Sequence, residues 1–176
     1  SGKTTLVNRA LESIDGNRKT VLVPRMHLNS DDVLELLLGE LGVQEIPTGT
    51  IQKFALFRRH LKDLAESNTR VFIAIEDSVR LGIDTLAEVE ALTAADAGES
   101  DGASLVLMGD ETLGETLREA PLVRIQQRVR QRLTIAALPV AEMRGYLRHC
   151  FRLAGGDFEQ VFADGIDAIL TPATPS

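Results

Sequence analysis

A single cysteine, Cys150, is all the thiol chemistry this sequence has, so no disulfide can form within the chain. That scarcity suits a reducing compartment, and Cys150 reads as a small buried apolar residue rather than a reactive one. Histidine is equally sparse. His27, His60 and His149 stand far apart without metal-ligand spacing, which excludes a histidine-built metal site. Long apolar runs are missing too. The stretch Val71-Phe72-Ile73-Ala74-Ile75 is far short of the roughly 20 residues that span a bilayer. The first residues do not have the form of a secretory signal. Because the sequence does not begin with Met, it reads as cut from something longer. Excess positive charge is also lacking: 19 Lys and Arg stand against 26 Asp and Glu, a net charge of −7. This argues against a general nucleic-acid-binding face but leaves room for a local basic patch. There are no internal repeats.

What remains is an ordinary globular composition, 44% hydrophobic and 26% charged over 176 residues, enough to bury one real core. The most informative stretch is the first, Ser1-Gly2-Lys3-Thr4-Thr5-Leu6. It reads as the second half of the phosphate-binding pattern G-x-x-x-x-G-K-[ST]. Ser1 and Thr5 flank the three chemical residues. Gly2 permits close backbone approach to a phosphate, Lys3 brings an ammonium to the β- and γ-phosphates, and Thr4 offers a hydroxyl to Mg²⁺. A helix with apolar positions Leu6, Val7, Ala10, Leu11 and Ile14 follows at once, so its free N–H groups would face the anion. These residues predict binding of ATP with Mg²⁺.

The rest of the chain alternates between the two periods. Helices are expected over 3–14, from Ser30 or Asp31 as cap to Leu41 with Gly42 as stop, and over 51–67, 83–95 and 111–118. Strands are expected over 20–24, 70–75 and 104–108, with a brief edge strand near 133–136. A polar surface loop is expected over 96–102. The strands are apolar or β-branched runs, the signature of burial on both faces. Strands separated by helices imply βαβ units and an α/β fold built on a parallel sheet. After Pro139 the pattern turns helical, over 141–153 and 157–170, before a Pro-rich tail. We therefore expect an α/β core over 1–137, the start of a helical subdomain over 138–170, and a disordered tail over 171–176.

An ATPase of this kind needs carboxylates at the end of a neighbouring buried strand, one for the Mg²⁺ shell and one to polarise the attacking water. Glu76-Asp77, directly after Ile75, is the candidate pair. Glu76 takes the metal side and Asp77 the water side. The common order is Asp then Glu. The reversal displaces each carboxylate by one methylene, on the order of 1.3–1.5 Å. Misplacement of that size can cost roughly 10²-fold in rate, so slow hydrolysis is expected.

Further stretches complete a pattern: Ile75 to Leu81, Leu86 and Leu92, Leu105 to Leu113, Gln127-Arg128-Val129 with Arg132, Ala137-Leu138-Pro139, and Glu142-Met143 with Tyr146 to Gly156. With the opening motif they resemble the ExeA-like AAA+ ATPases, the general secretion pathway protein A group. The corresponding motifs of that group read I-D-E-A-Q-x-L, L-V-L-x-G-Q-P-E-L, Q-R-I, P-L-S and E-T-x-x-Y-I-x-H-R-L-x-x-A-G-G. The chain resembles this fold without its first strand. The resemblance implies a nucleotide-driven, oligomerising domain serving secretion or envelope assembly. It also implies a cytoplasmic location, any inner-membrane attachment lying outside this chain. It implies an arginine reaching a neighbour's γ-phosphate, Arg128 first and Arg132 second, and a sensor position at Asp110. Several features depart from the group. The acids are reversed, Asp110 replaces Gln, Thr112 replaces Glu, and no G-x-P-R motif follows. Asp110 would repel a γ-phosphate unless protonated or turned away. Two other readings stay open: a DNA-transposition accessory ATPase, kept alive by the basic run from Arg124 to Arg132, and an interaction module that has lost turnover. Without its first strand the sheet is expected to show a gap in its ladder or exposed apolar faces.

Overall fold

The computed structural model describes residues 2–94 and 102–162. Ser1, nearly all of the expected loop over 96–102, the later part of the helix expected to reach Leu170, and the Pro-rich tail lie outside them. The chain divides into two compact units, residues 2–133 and the residues from Thr134 on.

In the first unit the elements run α1 (Lys3–Glu12), β1 (Arg18–Val23), α2 (Ser30–Glu40), α3 (Thr50–Glu66), β2 (Arg70–Ile75), α4 (Ile83–Thr93), β3 (Ser104–Leu107), α5 (Glu111–Thr116) and α6 (Val123–Arg128). Short 3₁₀ turns at Ser78–Leu81 and Ala120–Leu122 precede α4 and α6. The sheet is parallel, in the order β1-β2-β3. Val23 stands opposite Ile75, and Ile75 opposite Leu107, so the carboxyl ends of all three strands align.

One face of this sheet carries the core. Val21, Val23, Val71, Ile73 and Ile75 pack with Val33, Leu34, Leu37 and Leu38 of α2, Phe57 and Leu61 of α3, and Leu86, Val89 and Leu92 of α4. The opposite face is less covered. Leu22 is exposed and Phe72 half-buried, although Ala74 is fully buried. The expectation of strands buried on both faces therefore holds only partly, and β1 alternates instead. Among the described residues the ladder has no gap. β3 is an edge among the described residues, with Leu105, Val106 and Leu107 half-buried. The strand expected at 133–136 does not form. Residues 131–139 carry no regular structure and are exposed, with Leu133 at 74%. An apolar alternation becomes a strand only where a neighbour takes up its backbone groups.

Helix α2 shows how the local chemistry resolves. Its cap is Asn29, not Ser30 or Asp31: the Asn29 side chain accepts from the Asp32 N–H at 3.0 Å, and Asp32 accepts from the Asn29 N–H at 3.2 Å. This frees Asp31 to face α3. There the Lys53 side chain is almost wholly buried and donates to Asp31 at 2.8 Å and Glu35 at 2.6 Å, while the Thr50 hydroxyl donates to Asp31 at 2.8 Å. These contacts tie α3 to α2.

In the second unit, α7 (Val140–Leu153) and α8 (Phe158–Phe162) meet through Phe151, Phe158 and Phe162, with ring centroids 5.0 to 5.9 Å apart. Arg148 of α7 pairs with Glu159 and lies over the Phe158 ring. Among the described residues, no helix is long and apolar enough to cross a membrane.

The α2–α3 tie predicts an acid limb in stability. The Lys53 ammonium, and then the Thr50 hydroxyl, hold the Asp31 carboxyl below its ordinary range. Its stabilisation is thus complete above about pH 4 and is lost as the pH falls through the lowered value. Lys53 is raised by its hydrogen bonds to Asp31 and then Glu35, so its share survives at neutral pH and is lost only in strong base. Asp31→Asn should lower the denaturation midpoint at pH 7 and flatten its fall below pH 4. Equal acid sensitivity in both proteins would contradict this.

Candidate functional site

The site gathers where the strand ends meet the start of α1. Gly2 adopts φ 93°, in the left-handed region that disfavours a side chain, and its carbonyl accepts the first helical bond from the Leu6 N–H at 2.9 Å. The N-cap glycine has no side chain to cap this helix, so its first N–H groups and positive dipole end can face an anion. Lys3 and Thr4 are half-buried there, whereas Thr5 is exposed.

The Thr4 hydroxyl donates a short hydrogen bond to Oε1 of Glu76. Glu76 is held from behind, because its N–H donates to the Val23 carbonyl at 3.0 Å and extends the β1–β2 ladder by one residue. Asp77 follows in the left-handed region, φ 46° and ψ 50°, a conformation that Asp tolerates better than most residues. Ser78 anchors the turn. It is fully buried, and both its N–H and its hydroxyl donate to the Met108 carbonyl, at 2.8 and 3.1 Å. The left-handed turn separates the two carboxylates. Glu76 meets Thr4, while Oδ2 of Asp77 takes an ion pair from Arg25 Nε at 3.0 Å and one from Arg80 Nε at 2.7 Å.

Asp110 sits just beyond β3. Gly109 before it admits no side chain, since a Cβ would come within 2.7 Å of the Leu113 Cβ. Asp110 caps α5, accepting from the Thr112 N–H at 2.9 Å and the Thr112 hydroxyl at 2.5 Å. These two bonds, the hydroxyl's first, hold the Asp110 carboxyl below its ordinary range, and attraction to the Lys3 ammonium adds to them. Asp110 is therefore ionised at neutral pH and close enough to Lys3 to feel its charge.

Lys3, Thr4, Glu76 and Asp110 thus share one end of the sheet, with Asp77 beside them on its arginines. Arg128 and Arg132 are not among these neighbours. Arg128, at the end of α6, pairs closely with Glu90 of α4, a residue only 7% exposed, and Arg132 is exposed in the segment after α6. The sequence reading missed Arg25, Arg80, Ser78 and Glu90. Arg80 had a signal, lying three residues after Asp77 in a tight turn. Arg25 had only its place after a strand end.

A threonine hydroxyl and a carboxylate are hard oxygen donors, the set that Mg²⁺ takes together with phosphate oxygens and water. Among the described residues, no group of three or more His, Cys, Asp or Glu could hold a metal alone. The arrangement thus fits Mg²⁺ as a companion of phosphate. It can offer backbone N–H groups and an ammonium to a phosphate chain, and it can align oxygen ligands beside it.

Comparison with known proteins agrees with this geometry. The family model described as "AAA domain" matches residues 1–117. General secretion pathway protein A of Aeromonas hydrophila is 23% identical over 156 residues, which is 88% of this chain but 28% of that protein. The ADP form of the Aeropyrum pernix ORC2 protein superposes with a TM-score of 0.61 at 17% identity, over 86% of this chain and 43% of that one. Its ADPNP-ADP complexes give 0.60 at 18% identity, over 86% and 42%. At such identities the solved structures show the fold alone, an α/β parallel sheet flanked by helices. The family match covers well over half the chain, and with the resemblance read from its motifs it places this chain in the AAA-domain family, among the ExeA-like AAA+ P-loop ATPases.

Proposed function

We propose that this chain is the nucleotide-binding core of a slow ATP hydrolase that works in secretion or cell-envelope assembly. The observation that carries this reading is the hydrogen bond from Thr4 to Glu76, which joins the half-motif at the start of α1 to the carboxylate at the end of β2. Lys3 would hold the β- and γ-phosphates, with the amino-terminal N–H groups of α1 around them. Thr4 and Glu76 would hold Mg²⁺, whose charge offsets that of the phosphate oxygens. Asp77 would orient the attacking water, and an arginine from a neighbouring subunit would meet the developing charge. Both candidates are exposed, but Arg128 is retained by Glu90 within its own chain. The role in secretion rests on the similarity to general secretion pathway protein A, of which this chain spans 28%. Association with further copies and a cytoplasmic location belong to the same proposal.

A second reading has its own observation. Oδ2 of Asp77 is engaged by Arg25 and Arg80 together, which leaves that oxygen little capacity to take up a water. In that reading the chain binds nucleotide and changes shape without turnover.

Three variants of the full-length protein separate these readings. Lys3→Ala should abolish nucleotide binding, read by calorimetry; unchanged affinity would refute the phosphate site. Restoring the common order with Glu76→Asp and Asp77→Glu should raise ATP turnover by up to roughly 10²-fold. An unchanged, measurable rate would refute the penalty assigned to the reversed pair, and no turnover in either protein, with binding intact, would establish the second reading. Replacing Arg25 and Arg80 together by Ala should raise kcat and leave nucleotide affinity unchanged. A lower kcat at equal affinity would show instead that the guanidiniums assist the reaction.

A further inference from the structure

We propose that Asp110 is a specificity-determining residue that biases this site toward a nucleoside diphosphate and against the triphosphate. The inference rests on the nucleotide-site reading above and adds to it which phosphate chain the site prefers.

The argument starts from position. Met108 is tied to both sides of the Glu76-Asp77 turn: its N–H donates to the Ile75 carbonyl at 2.9 Å, and its own carbonyl accepts from Ser78. Asp110 lies two residues farther along, at the same end of the sheet as Glu76, which in turn contacts Thr4. A negative charge here lies at the same end of the sheet as the ammonium that would hold the β- and γ-phosphates, and attracts it.

The charge is also fixed. A carboxylate at a flexible surface position would swing away from an incoming phosphate. This one accepts two bonds from Thr112 and caps α5, and Gly109 before it packs tightly on Leu113. The lowered proton affinity of Asp110 agrees with a permanent anion. Asp110 and Thr112 are two of the residues that depart from the ExeA-like pattern, and in the structure they are each other's partners. Any residue at position 112 would offer the backbone N–H; the threonine hydroxyl adds a second bond to the same oxygen and holds the carboxylate more firmly.

Two consequences follow for a bound nucleotide. Asp110 competes with phosphate for Lys3, and it repels whatever negative charge arrives there. A triphosphate carries about one more negative charge than a diphosphate and places it at the end of the chain that Lys3 would hold. A unit charge about 6 Å away, at an effective dielectric of about 40, changes an affinity about tenfold. Both nucleotides meet the same P-loop residues, so the ratio of their affinities isolates this electrostatic difference.

The test measures that ratio on the full-length protein by calorimetry, with ADP and a non-hydrolysable ATP analogue, each with Mg²⁺. Wild type is compared with Asp110→Asn and Asp110→Ser. Both replacements are neutral and both can cap α5, so either one alone reads the effect. The expected result is a shift of about tenfold in the ratio toward the triphosphate analogue, shrinking as salt is raised. A shift below about twofold, or one toward the diphosphate, overturns the role of Asp110 while leaving the site standing. Failure of wild type to bind either nucleotide overturns the site itself, and this inference with it.

Discussion

Parallel pairing of three short strands, with Val23, Ile75 and Leu107 side by side, delivers Arg25, the Glu76-Asp77 pair and Asp110 to one end of the sheet. A slip of one residue in β2 would turn Glu76 away from Thr4 and move Val71, Ile73 and Ile75 off the face that packs on α2, α3 and α4. The apolar core and the polar site are thus set by the same register. The core makes that register costly to change, since most of those side chains are fully buried. The site inherits its geometry from burial elsewhere, which is how a few exposed polar groups can be held in place without a core of their own.

Much of this was legible in the sequence because local and periodic signals agreed. The start of α1 is marked by its motif and by its apolar spacing, and β2 by an unbroken run of apolar residues before two acids. Where the signals were purely local, they misled. Asn29, Ser30 and Asp31 can all cap a helix; only Asp32, three residues after Asn29, decides between them through the reciprocal bond. Leu133 and Ile135 alternate as a strand should, yet no described strand lies beside them. The one-sided burial of β1, which leaves Leu22 exposed, depends on what covers the second face, and no pattern within six residues encodes that.

The candidate site was legible as a set of chemical groups but not as a set of partners. Glu76, Asp77, Thr4, Lys3 and Asp110 were readable because their chemistry and order are unusual. Arg25 and Arg80 were not, because a guanidinium near a turn carries no message until the fold brings it to a carboxylate. The turn that does so is also unusual. Asp77 in the left-handed region costs of order 1 kcal/mol, held by the tether from Ser78 to the Met108 carbonyl. That conformation separates two neighbouring carboxylates and sends them to different partners.

Most of the charged groups proposed for chemistry then meet an opposing charge or a hydrogen-bond partner inside the chain. Lys3 feels Asp110, Glu76 accepts from Thr4, Asp77 holds Arg25 and Arg80, and Arg128 holds Glu90. These pairings satisfy polar groups that would otherwise be left without partners at the rim of the core. They also make every incoming ligand a competitor. A phosphate at Lys3 must outweigh the attraction of Asp110, and a metal at Thr4 must replace a hydrogen bond that already exists. Binding energy used to break such pairs is energy that differs between the empty and loaded arrangements, and only such a difference can move a conformational equilibrium. Affinity surrendered at these contacts is therefore what would allow nucleotide to switch the domain between two states.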